Sequence, residues 1–429
     1  MVLGSAPLAG QLLGAMPRPL NFLHVTTFYP PYNFGGDGIY VQRLAYALGD
    51  QGHHVDIVHC VDAFQLAARP NGFSPSPHPN VTVHALKSPV GWLSPLASHQ
   101  TGRPFFKQPA LQALVDAKPY DVIHFHNISL FGPEVLRIGG SSPLKLYTTH
   151  EYWLICPTHV LRKFNREPCR EPECLQCVIR SLRPPQPWRY TGLLADSVQH
   201  VDQFLAPSRF TAQIHAERGF TAPICHLPNF CDRSDQDWLN PGESPHHRPY
   251  FLYAGRLEDE KGPQTLIPFW DRVAGFDLVV AGSGRQEMML GQMAAANPRI
   301  RFLGNVPPAK IGRLFAHAAA VIIPSVVYEV FSLVAVESMA RKTPVIARDL
   351  GGLTELAEDS GGAVLYRTDD ELLQAIHSLG ADPQLRRETG ERGYQHYLAH
   401  YTREAHLKAY GQVIAEAAAR KFGKIPWGE

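Results

Sequence analysis

The residues best suited to chemistry lie in a loop of the second half of the chain, directly after a predicted strand. The strand is Tyr250–Ala254, and the sequence GRLEDEKG that follows at positions 255–262 places Arg256 and Lys261 five residues apart. An arginine can bind a phosphate through two parallel hydrogen bonds, and a lysine adds a compact positive charge. The pair is therefore suited to a diphosphate, although a solvated charged loop would have the same sequence.

Two glutamates flank the start of a predicted helix in the sequence YEVFSLVAVE at positions 328–337. Glu329 lies at the first turn, where its carboxylate could reach the hydroxyls of a sugar. Glu337 lies about two turns later, where it could accept hydrogen bonds from a ribose. The alternatives are a helix N-terminal charge for Glu329 and an ion pair at the edge of the core for Glu337.

The backbone between the two glutamates is a candidate anion site. A strand ends near Pro324, and the helix predicted over Phe331–Arg341 begins a few residues later. The first turn of a helix presents unpaired N–H groups and the positive end of its dipole. We therefore predict that Phe331, Ser332 and Leu333 contact a bound anionic ligand.

Both halves of the chain alternate strands with helices. In the first half, a strand at Leu20–Thr27 is followed by a loop rich in glycine and proline, and then by a helix with apolar residues at Val41, Leu44 and Leu48. Strand, glycine loop, helix and strand in this order predict parallel sheets covered by helices on both faces. The other predicted strands are His54–Val61, Val81–Leu86, Val122–His126, Lys145–Thr149, Asp277–Ala281, Ile300–Leu303, Ala320–Ile323 and Val345–Ala347.

A polar segment at 229–249 separates the two halves and predicts a connection between domains. We predict an N-terminal domain over residues 1–228, a C-terminal domain over 229–400, and a final amphipathic helix over 401–429. Residues 1–17 lack a basic start and are predicted to form a loose extension rather than a secretory signal. Ligands of open parallel sheets bind beyond the carboxyl ends of the strands, so loops of both sheets are expected to face one cleft.

Composition and charge narrow the class of protein. A length of 429 residues suits two domains. The net charge of +1 gives no indication of nucleic acid as a partner. No apolar run reaches the roughly 20 residues needed to span a bilayer. We predict a cytoplasmic protein and leave peripheral membrane contact open.

Taken together and in this order, the motifs resemble the retaining glycosyltransferases of the family 4 type, or glycosyltransferase group 1. The resemblance covers nearly the whole chain from residue 20. It implies an α/β fold of the GT-B type: two Rossmann-like domains facing a central cleft, with the C-terminal helix returning to the N-terminal domain. The motifs that carry it are the 255–262 loop, the two glutamates, ARDLGGLTEL at 347–356, Gly35-Gly36, Thr149-His150 and Pro228-Asn229.

The resemblance implies catalytic roles for four residues. Arg256 and Lys261 look like the pair that binds the donor diphosphate and stabilises the charge of the leaving group. Glu329 looks like the glutamate placed against the donor sugar. His150 is similar to a histidine that approaches the sugar near the reacting centre, and we expect it to orient the sugar or stabilise charge rather than act as a base. A hydrogen-bonded histidine at a strand end is the alternative.

Further residues resemble parts of a nucleotide-sugar site. Glu337 looks like the residue that binds the ribose. The loop of Gly35 and Gly36 is similar to one whose backbone amides approach the phosphates, and Ser283 and Gly284 resemble the loop beneath the nucleotide. The donor would be a UDP-, GDP- or ADP-sugar serving as co-substrate, and no separate cofactor is expected for catalysis.

The implied mechanism retains the configuration of the anomeric carbon through attack on the same face, and we assign no covalent nucleophile. No Asp-X-Asp sequence stands near a donor motif, which favours a reaction independent of metal. Members of the family usually carry glycine where this chain has Val330 and Ser332. Side chains at these positions are expected to crowd the sugar, so the departure bears on the choice of donor sugar more than on the reaction class.

Four of the seven cysteines follow the His150 loop, in the pattern C-x12-C-x4-C-x2-C. In a reducing compartment this pattern is compatible with a structural zinc held by Cys156, Cys169, Cys174 and Cys177. Four sulfurs would leave no position open for catalysis. Unpaired thiols or one fortuitous disulfide are the alternatives.

The cysteine-rich segment, about residues 156–189, is also basic, with seven basic and three acidic residues from Arg162 to Arg189. Local positive charge raises the concentration of anions nearby. The acceptor is expected to be a glycan, a glycolipid or another lipid-linked molecule, or a small molecule, and the basic segment would suit an anionic acceptor or a phospholipid surface. A solvated loop is an equally good interpretation.

Two other functions are compatible with the same motifs. A nucleotide-sugar epimerase would act on the donor without an acceptor, and a non-catalytic protein would bind a nucleotide sugar without turnover. Retention of both glutamates together with Arg256 and Lys261 argues against the second. The sequence leaves the donor base, the donor sugar, the acceptor, the linkage and the oligomeric state open.

Overall fold

The computed structural model describes residues 18–65, 75–232 and 242–427. The predicted N-terminal extension, residues 1–17, and positions 233–241 of the predicted connection lie outside the described residues. Among the described residues, no helix has the length and apolar character that crossing a membrane requires.

The first half forms a parallel sheet of seven strands, and two further short strands form an antiparallel hairpin in the cysteine-rich segment. The strands in chain order are β1 Asn21–Val25, β2 His54–Cys60, β3 Val81–Leu86, β4 Val122–Phe125, β5 Leu144–Thr148, β6 Arg162–Lys163, β7 Glu167–Pro168, β8 Gln203–Ala206 and β9 Ile224–His226. The sheet order is β3-β2-β1-β4-β5-β8-β9, and the hairpin is β6 and β7. Because the order reverses between β1 and β4, their carboxyl ends open a crevice where ligands of such sheets bind.

Helices cover both faces of this sheet, and two buried apolar clusters lie between the layers. The helices are α1 Gly36–Asp50, α2 Val61–Gln65, α3 Leu93–Thr101, α4 Gln108–Ala117, α5 Cys174–Arg180, α6 Leu193–Val198 and α7 Arg209–Glu217. The predicted apolar stripe of α1, Val41, Leu44 and Leu48, is fully buried in the same cluster as Phe22 of β1. This packing fixes α1 against the sheet and so fixes the glycine loop at its N-terminus.

The second half forms a parallel sheet of six strands. The strands are β10 Tyr250–Ala254, β11 Asp277–Ala281, β12 Ile300–Gly304, β13 Val321–Ile323, β14 Val345–Arg348 and β15 Ala363–Tyr366. Their order is β12-β11-β10-β13-β14-β15, so the crevice opens between β10 and β13. The helices are α8 Pro263–Phe269, α9 Glu287–Ala294, α10 Pro308–His317, α11 Leu333–Met339, α12 Gly352–Ser360, α13 Asp369–Ala381, α14 Pro383–His400 and α15 Arg403–Phe422.

The last helix, α15, packs against the first sheet rather than the second. Leu407, Tyr410 and Ile414 are buried in one cluster with Phe22 and Leu146. The Tyr410 hydroxyl lies 2.9 Å from His124 Nδ1 of β4. The C-terminal helix therefore ties the end of the chain to the N-terminal half.

The prediction of two Rossmann-like parallel-sheet domains is confirmed. All ten predicted strands are present, with bounds within two residues of the predicted ones. The strands β8, β9 and β15 and the hairpin were not predicted. They are two to four residues long, and runs this short carry too little periodicity to separate a strand from a loop.

Candidate active site

The 255–262 loop leaves β10 at its carboxyl end, and residues Asp259–Lys261 make one 3-10 turn before α8. The turn ends at Gly262, which has φ +73°, and a β-carbon there would lie 2.1 Å from the carbonyl oxygen of Pro324. Glycine is therefore required for this approach, which holds Lys261 beside the end of β13.

Lys261 and Glu329 form an ion pair at this point, with 2.7 Å between Nζ and Oε1. The Ser325 hydroxyl donates to the same carboxylate oxygen. The Glu329 residue is only 8% exposed, and its backbone carbonyl accepts a hydrogen bond from the Gly352 N–H at 2.9 Å. The structure thus brings two of the predicted catalytic residues into direct contact, and one carboxylate oxygen of Glu329 is held by both Lys261 and Ser325.

Arg256 faces the other domain. A β-carbon on Gly35 would lie 3.5 Å from Arg256 Nε, and one on Gly36 would lie 2.9 Å from Leu333 Cδ1. The guanidinium also lies 3.3 Å from Glu260 Oε1, in a pair whose arginine side chain is 38% exposed. Gly35 has φ +80° and caps α1, a backbone conformation that favours glycine, so the glycine loop faces Arg256 with no side chain between them.

The loop that follows β11 lies directly beneath the Arg256 loop. The Leu257 N–H donates to the Ser283 carbonyl at 3.0 Å, and a β-carbon on Gly284 would lie 2.4 Å from the Leu257 carbonyl oxygen. Next to it, Arg285 Nε lies 2.8 Å from Glu258 Oε2. The predicted nucleotide loop therefore supports the predicted phosphate loop from below.

Residues 330–332 are held by packing and capping. The Ser332 hydroxyl caps α11 by accepting the Ala335 N–H at 3.2 Å, and the Phe331 ring packs edge-on against Tyr401 at 5.6 Å. Val330 packs against a small cluster in the cysteine-rich segment. A serine where the family carries glycine thus has a structural role, because serine is a favoured N-cap residue.

Glu337 contacts the opposite domain rather than an open pocket. Its Oε1 lies 2.9 Å from Arg43 Nη2 of α1, and both side chains are less than a quarter exposed. The Cys231 thiol is 4.0 Å from the same oxygen. The structure therefore places Glu337 in an ion pair, the alternative considered from the sequence, and its contact with a ribose stays a prediction.

His150 follows β5 and lies beside α1. Its Nε2 is 3.0 Å from His126 Nδ1, and its ring centre is 5.0 Å from that of Tyr40. Burial lowers the pKa of His150 to about 3. The ring is therefore neutral near pH 7, which favours a role in orienting a sugar over a role in stabilising charge.

One acidic residue beside the glycine loop was missed by sequence reasoning. Asp37 accepts the Gly38 N–H at 2.8 Å and the Asn127 side-chain amide at 3.3 Å. Burial, with a smaller effect from Glu151, raises the pKa of Asp37 to about 6, while Arg256 acts in the opposite direction. Its position directly after the Gly-Gly pair was the available signal, since the first turn of such a helix faces the ligand.

The four cysteines of the cysteine-rich segment are free thiols, two buried and two half-buried. The Phe164 N–H donates to Cys177 Sγ at 3.3 Å, and Cys156 Sγ lies 3.3 Å from Thr158 Oγ1. Burial is the main cause that raises the pKa of Cys174, and Cys156 and Cys177 raise it further. The thiols are thus neighbours, but in the part of the chain that the structure describes no three of them bring their sulfurs within 4.8 Å of one another.

The basic residues of the segment are largely engaged inside the chain. Arg162 pairs with Asp259 of the opposite domain, and Lys163 pairs with Glu173. Arg180 stacks on Phe164, Arg183 donates to the Thr158 carbonyl, and Arg189 donates to the Trp153 carbonyl. Arg166 and Arg170 are exposed, and their side chains have no partner among the described residues. The charge available to an acceptor is therefore smaller than the sequence suggests.

Two family models match adjacent parts of the chain. Residues 34–235 match Glycosyltransferase Family 4, and residues 234–396 match Glycosyl transferases group 1. Together they cover every predicted site residue and every strand of the two sheets except β1. A glycogen synthase from Mycobacterium tuberculosis is 26% identical over 390 residues, which covers 85% of this chain and 87% of that protein.

Solved structures share the arrangement of the two sheets. A sucrose-phosphate synthase from Thermosynechococcus elongatus superimposes with a TM-score of 0.71 at 22% identity, covering 94% of this chain and 100% of the other. Anabaena Alr3699/HepE in complex with UDP superimposes with a TM-score of 0.62 at 18% identity, again over 94% and 100%. At this level of identity the likeness concerns the fold.

Proposed function

The chain belongs to the glycosyltransferases of group 1, with the family 4 type of N-terminal half, and from this premise we propose that it transfers a sugar from a nucleoside-diphosphate sugar to a hydroxyl acceptor with retention of configuration. It does so without a catalytic metal. The donor lies in the cleft, with its diphosphate between the 255–262 loop and the Gly35-Gly36 loop.

A single observation supports this proposal most strongly. Arg256 and Lys261 lie at the carboxyl end of β10, and Arg256 stands opposite the glycine loop of the other domain. The loss of a nucleoside diphosphate places negative charge on the phosphate as the anomeric bond breaks. Cations that are already in place stabilise this charge, and a closed cleft of low dielectric strengthens the effect.

The ion pair of Lys261 with Glu329 explains how the site is held before the donor arrives. Glu329 fixes the ammonium group close to where the phosphate binds, and the Ser325 hydroxyl keeps the carboxylate in place. When the diphosphate enters, Lys261 can turn towards it, which frees one oxygen of Glu329 for a sugar hydroxyl. His150 orients the sugar from the opposite domain.

The base of the donor is the next question. HepE binds UDP in a related fold, which supports a nucleotide in the cleft but leaves uridine, guanosine and adenosine to be compared. Incubation with a panel of UDP-, GDP- and ADP-sugars, measuring release of nucleotide and the rise in melting temperature, tests the proposal. At least one donor should raise the melting temperature and release nucleotide with an acceptor; a panel with neither effect would contradict it.

We keep the structural zinc as a proposal for the cysteine-rich segment. Thiolates are soft ligands that zinc prefers, and Cys174 and Cys177 lie one turn apart at the start of α5. The chain purified under reducing conditions is expected to carry one zinc ion, and its removal with a chelator should lower the melting temperature. Cys174→Ser should lose the metal, and Cys225→Ser, outside the segment, should keep it. A metal-free protein with the same melting temperature as the untreated protein would contradict the zinc proposal.

Arg166 and Arg170, whose side chains have no partner among the described residues, are the positions at which binding of an anionic acceptor can be tested. In the variant Arg166→Glu/Arg170→Glu, the KM for an anionic acceptor should rise roughly tenfold, because two charges are reversed near its path. The KM for the donor and the melting temperature should not change. The matched control is Arg272→Glu, an exposed arginine of the second domain that forms an ion pair with exposed Asp370. An unchanged acceptor KM in the double variant would favour the solvated loop.

A further inference from the structure

A chain of histidines runs from the interior of the first sheet to His150. His24 Nδ1 of β1 lies 2.8 Å from His126 Nε2, and His126 Nδ1 lies 3.0 Å from His150 Nε2. His24 and His126 are completely buried. Of the three residues, only His150 is partly exposed, so the hydrogen-bonded histidines run from the core to the loop that follows β5.

These histidines form a hydrogen-bonded chain rather than a metal site. His24, His124 and His126 do bring ligand atoms within 4.8 Å of one another. However, His24 and His126 bond to each other, and both nitrogens of His124 are taken by the hydroxyls of Tyr410 and Thr148, at 2.9 and 2.8 Å. None of the rings is hydrogen-bonded to a carboxylate within the described ranges. A divalent cation would therefore have to break these bonds in an uncharged pocket that water does not reach.

The three rings of the chain are neutral, and this limits the positions of their protons. Burial lowers the pKa of His24 and of His150 to about 3 and that of His126 well below its ordinary value. Each ring thus carries one N–H. Because each contact needs one donor and one acceptor, the protons must all point the same way, either from His24 towards His150 or from His150 towards His24.

The buried end of the histidine chain, at His24, decides between the two directions of the protons. His24 Nε2 is buried and has no hydrogen-bond partner among the described residues. If the protons pointed inwards, this atom would carry an N–H with no acceptor, and orphaned buried N–H groups are rarer in proteins than orphaned acceptors. If they point outwards, His24 Nε2 is only a lone pair, and the remaining proton sits on His150 Nδ1.

We propose that His24 and His126 are positioning residues that hold His150 as the Nδ1–H tautomer, so that its ring donates a hydrogen bond into the cleft. The acceptor of that bond is an oxygen of the donor sugar, and this part rests on the proposed function. His150 Nδ1 has no partner within the described part of the chain, so it is available for this contact. The tautomer is set by the fold before any ligand binds.

The test is the tautomer of His150 in the full chain, measured by nitrogen-15 NMR of the labelled imidazole rings without ligand. We expect protonation at Nδ1, and protonation at Nε2 would overturn the proposal whatever the activity. His126→Leu should yield a mixture of tautomers. His126→Asn should keep Nδ1–H, because the asparagine amide can occupy the place of the His126 Nδ1–H. His124 is equally buried but lies outside the row of hydrogen bonds from His24 to His150. The variant His124→Asn should therefore leave the tautomer of His150 unchanged.

Kinetics separates this inference from the proposed function. His126→Leu should lower kcat about tenfold, the loss of roughly one hydrogen bond in the transition state, while His126→Asn stays near the wild-type rate. Equal losses in both variants would overturn the positioning role. The NMR result could hold while neither His150→Ala nor His126→Leu changes the rate of transfer. In that case the contact of His150 with the sugar, and with it the role of His150 in the proposed function, is wrong. The assignment of the tautomer is then still correct.

Discussion

Replacing Arg256 with alanine is expected to lower kcat for sugar transfer by about 10²–10³-fold. The guanidinium faces the glycine loop of the other domain, which is where the proposed function places the charge that develops on the leaving diphosphate. Its interaction therefore strengthens as the reaction proceeds, and its loss appears in kcat more than in the KM for the donor. A steady-state assay of nucleotide release with varied donor measures both constants.

The Arg256→Ala variant should fold as the wild type does. Among the described residues, Arg256 forms one ion pair, with Glu260 at 3.3 Å, and such partly exposed pairs contribute little to stability. Arg285→Ala is the matched control, because Arg285 lies on the neighbouring loop with an 86% exposed side chain. A variant of Arg256 with wild-type kcat, or an equal loss in Arg285→Ala, would remove Arg256 from the mechanism.

Replacing Lys261 with methionine is expected to abolish most transfer and also to destabilise the fold by about 1–2 kcal/mol. The loss of transfer follows from the missing charge at the leaving group. The destabilisation follows because Glu329, almost fully buried, then keeps one side-chain partner among the described residues, the Ser325 hydroxyl. An unpaired buried charge is costly, although the 30% exposure of Lys261 reduces the effect.

The double variant Lys261→Met/Glu329→Gln separates the two effects. Removing the unpaired carboxylate should return the melting temperature towards that of the wild type, because glutamine can still accept the Ser325 hydrogen bond. Transfer should stay low, because neither the cation nor the carboxylate is restored. If kcat recovered together with stability, Lys261 would serve only to neutralise Glu329, and its role at the diphosphate would be refuted.

Much of the fold followed from patterns that depend on short stretches of sequence. The buried strands β1, β10 and β11 are largely apolar runs followed by glycine or a polar residue, and the stripe of α1 repeats at helical spacing. Such patterns report burial directly. The position of the 255–262 loop followed from the same reasoning, since residues after a parallel strand lie at the carboxyl edge of the sheet.

Contacts between the domains could not be predicted in the same way. The Arg43–Glu337 pair joins residues 294 positions apart, and the Arg162–Asp259 pair joins the cysteine-rich segment to the donor loop. No local sequence pattern predicts which acidic residue of one domain forms an ion pair with which basic residue of the other. The sequence therefore left Glu337 between a ribose contact and an ion pair, and overestimated the free positive charge of the basic segment.

The histidine chain was also beyond the reach of local patterns. His24, His126 and His150 belong to three different strands or strand ends, and only the order β1-β4-β5 in the sheet brings them together. In the sequence, a histidine within a predicted buried strand is an isolated polar residue with no visible hydrogen-bond partner. Its partner becomes visible only when neighbouring strands are in register, as His24 and His124 are.

The most direct test is a crystal structure of the chain with the nucleoside diphosphate that raises its melting temperature most. We predict that the diphosphate lies within hydrogen-bond distance of both Arg256 and Lys261, with the Gly35-Gly36 loop on its other side. A nucleotide bound elsewhere, or bound in the cleft with both side chains turned away from its phosphates, would contradict the account.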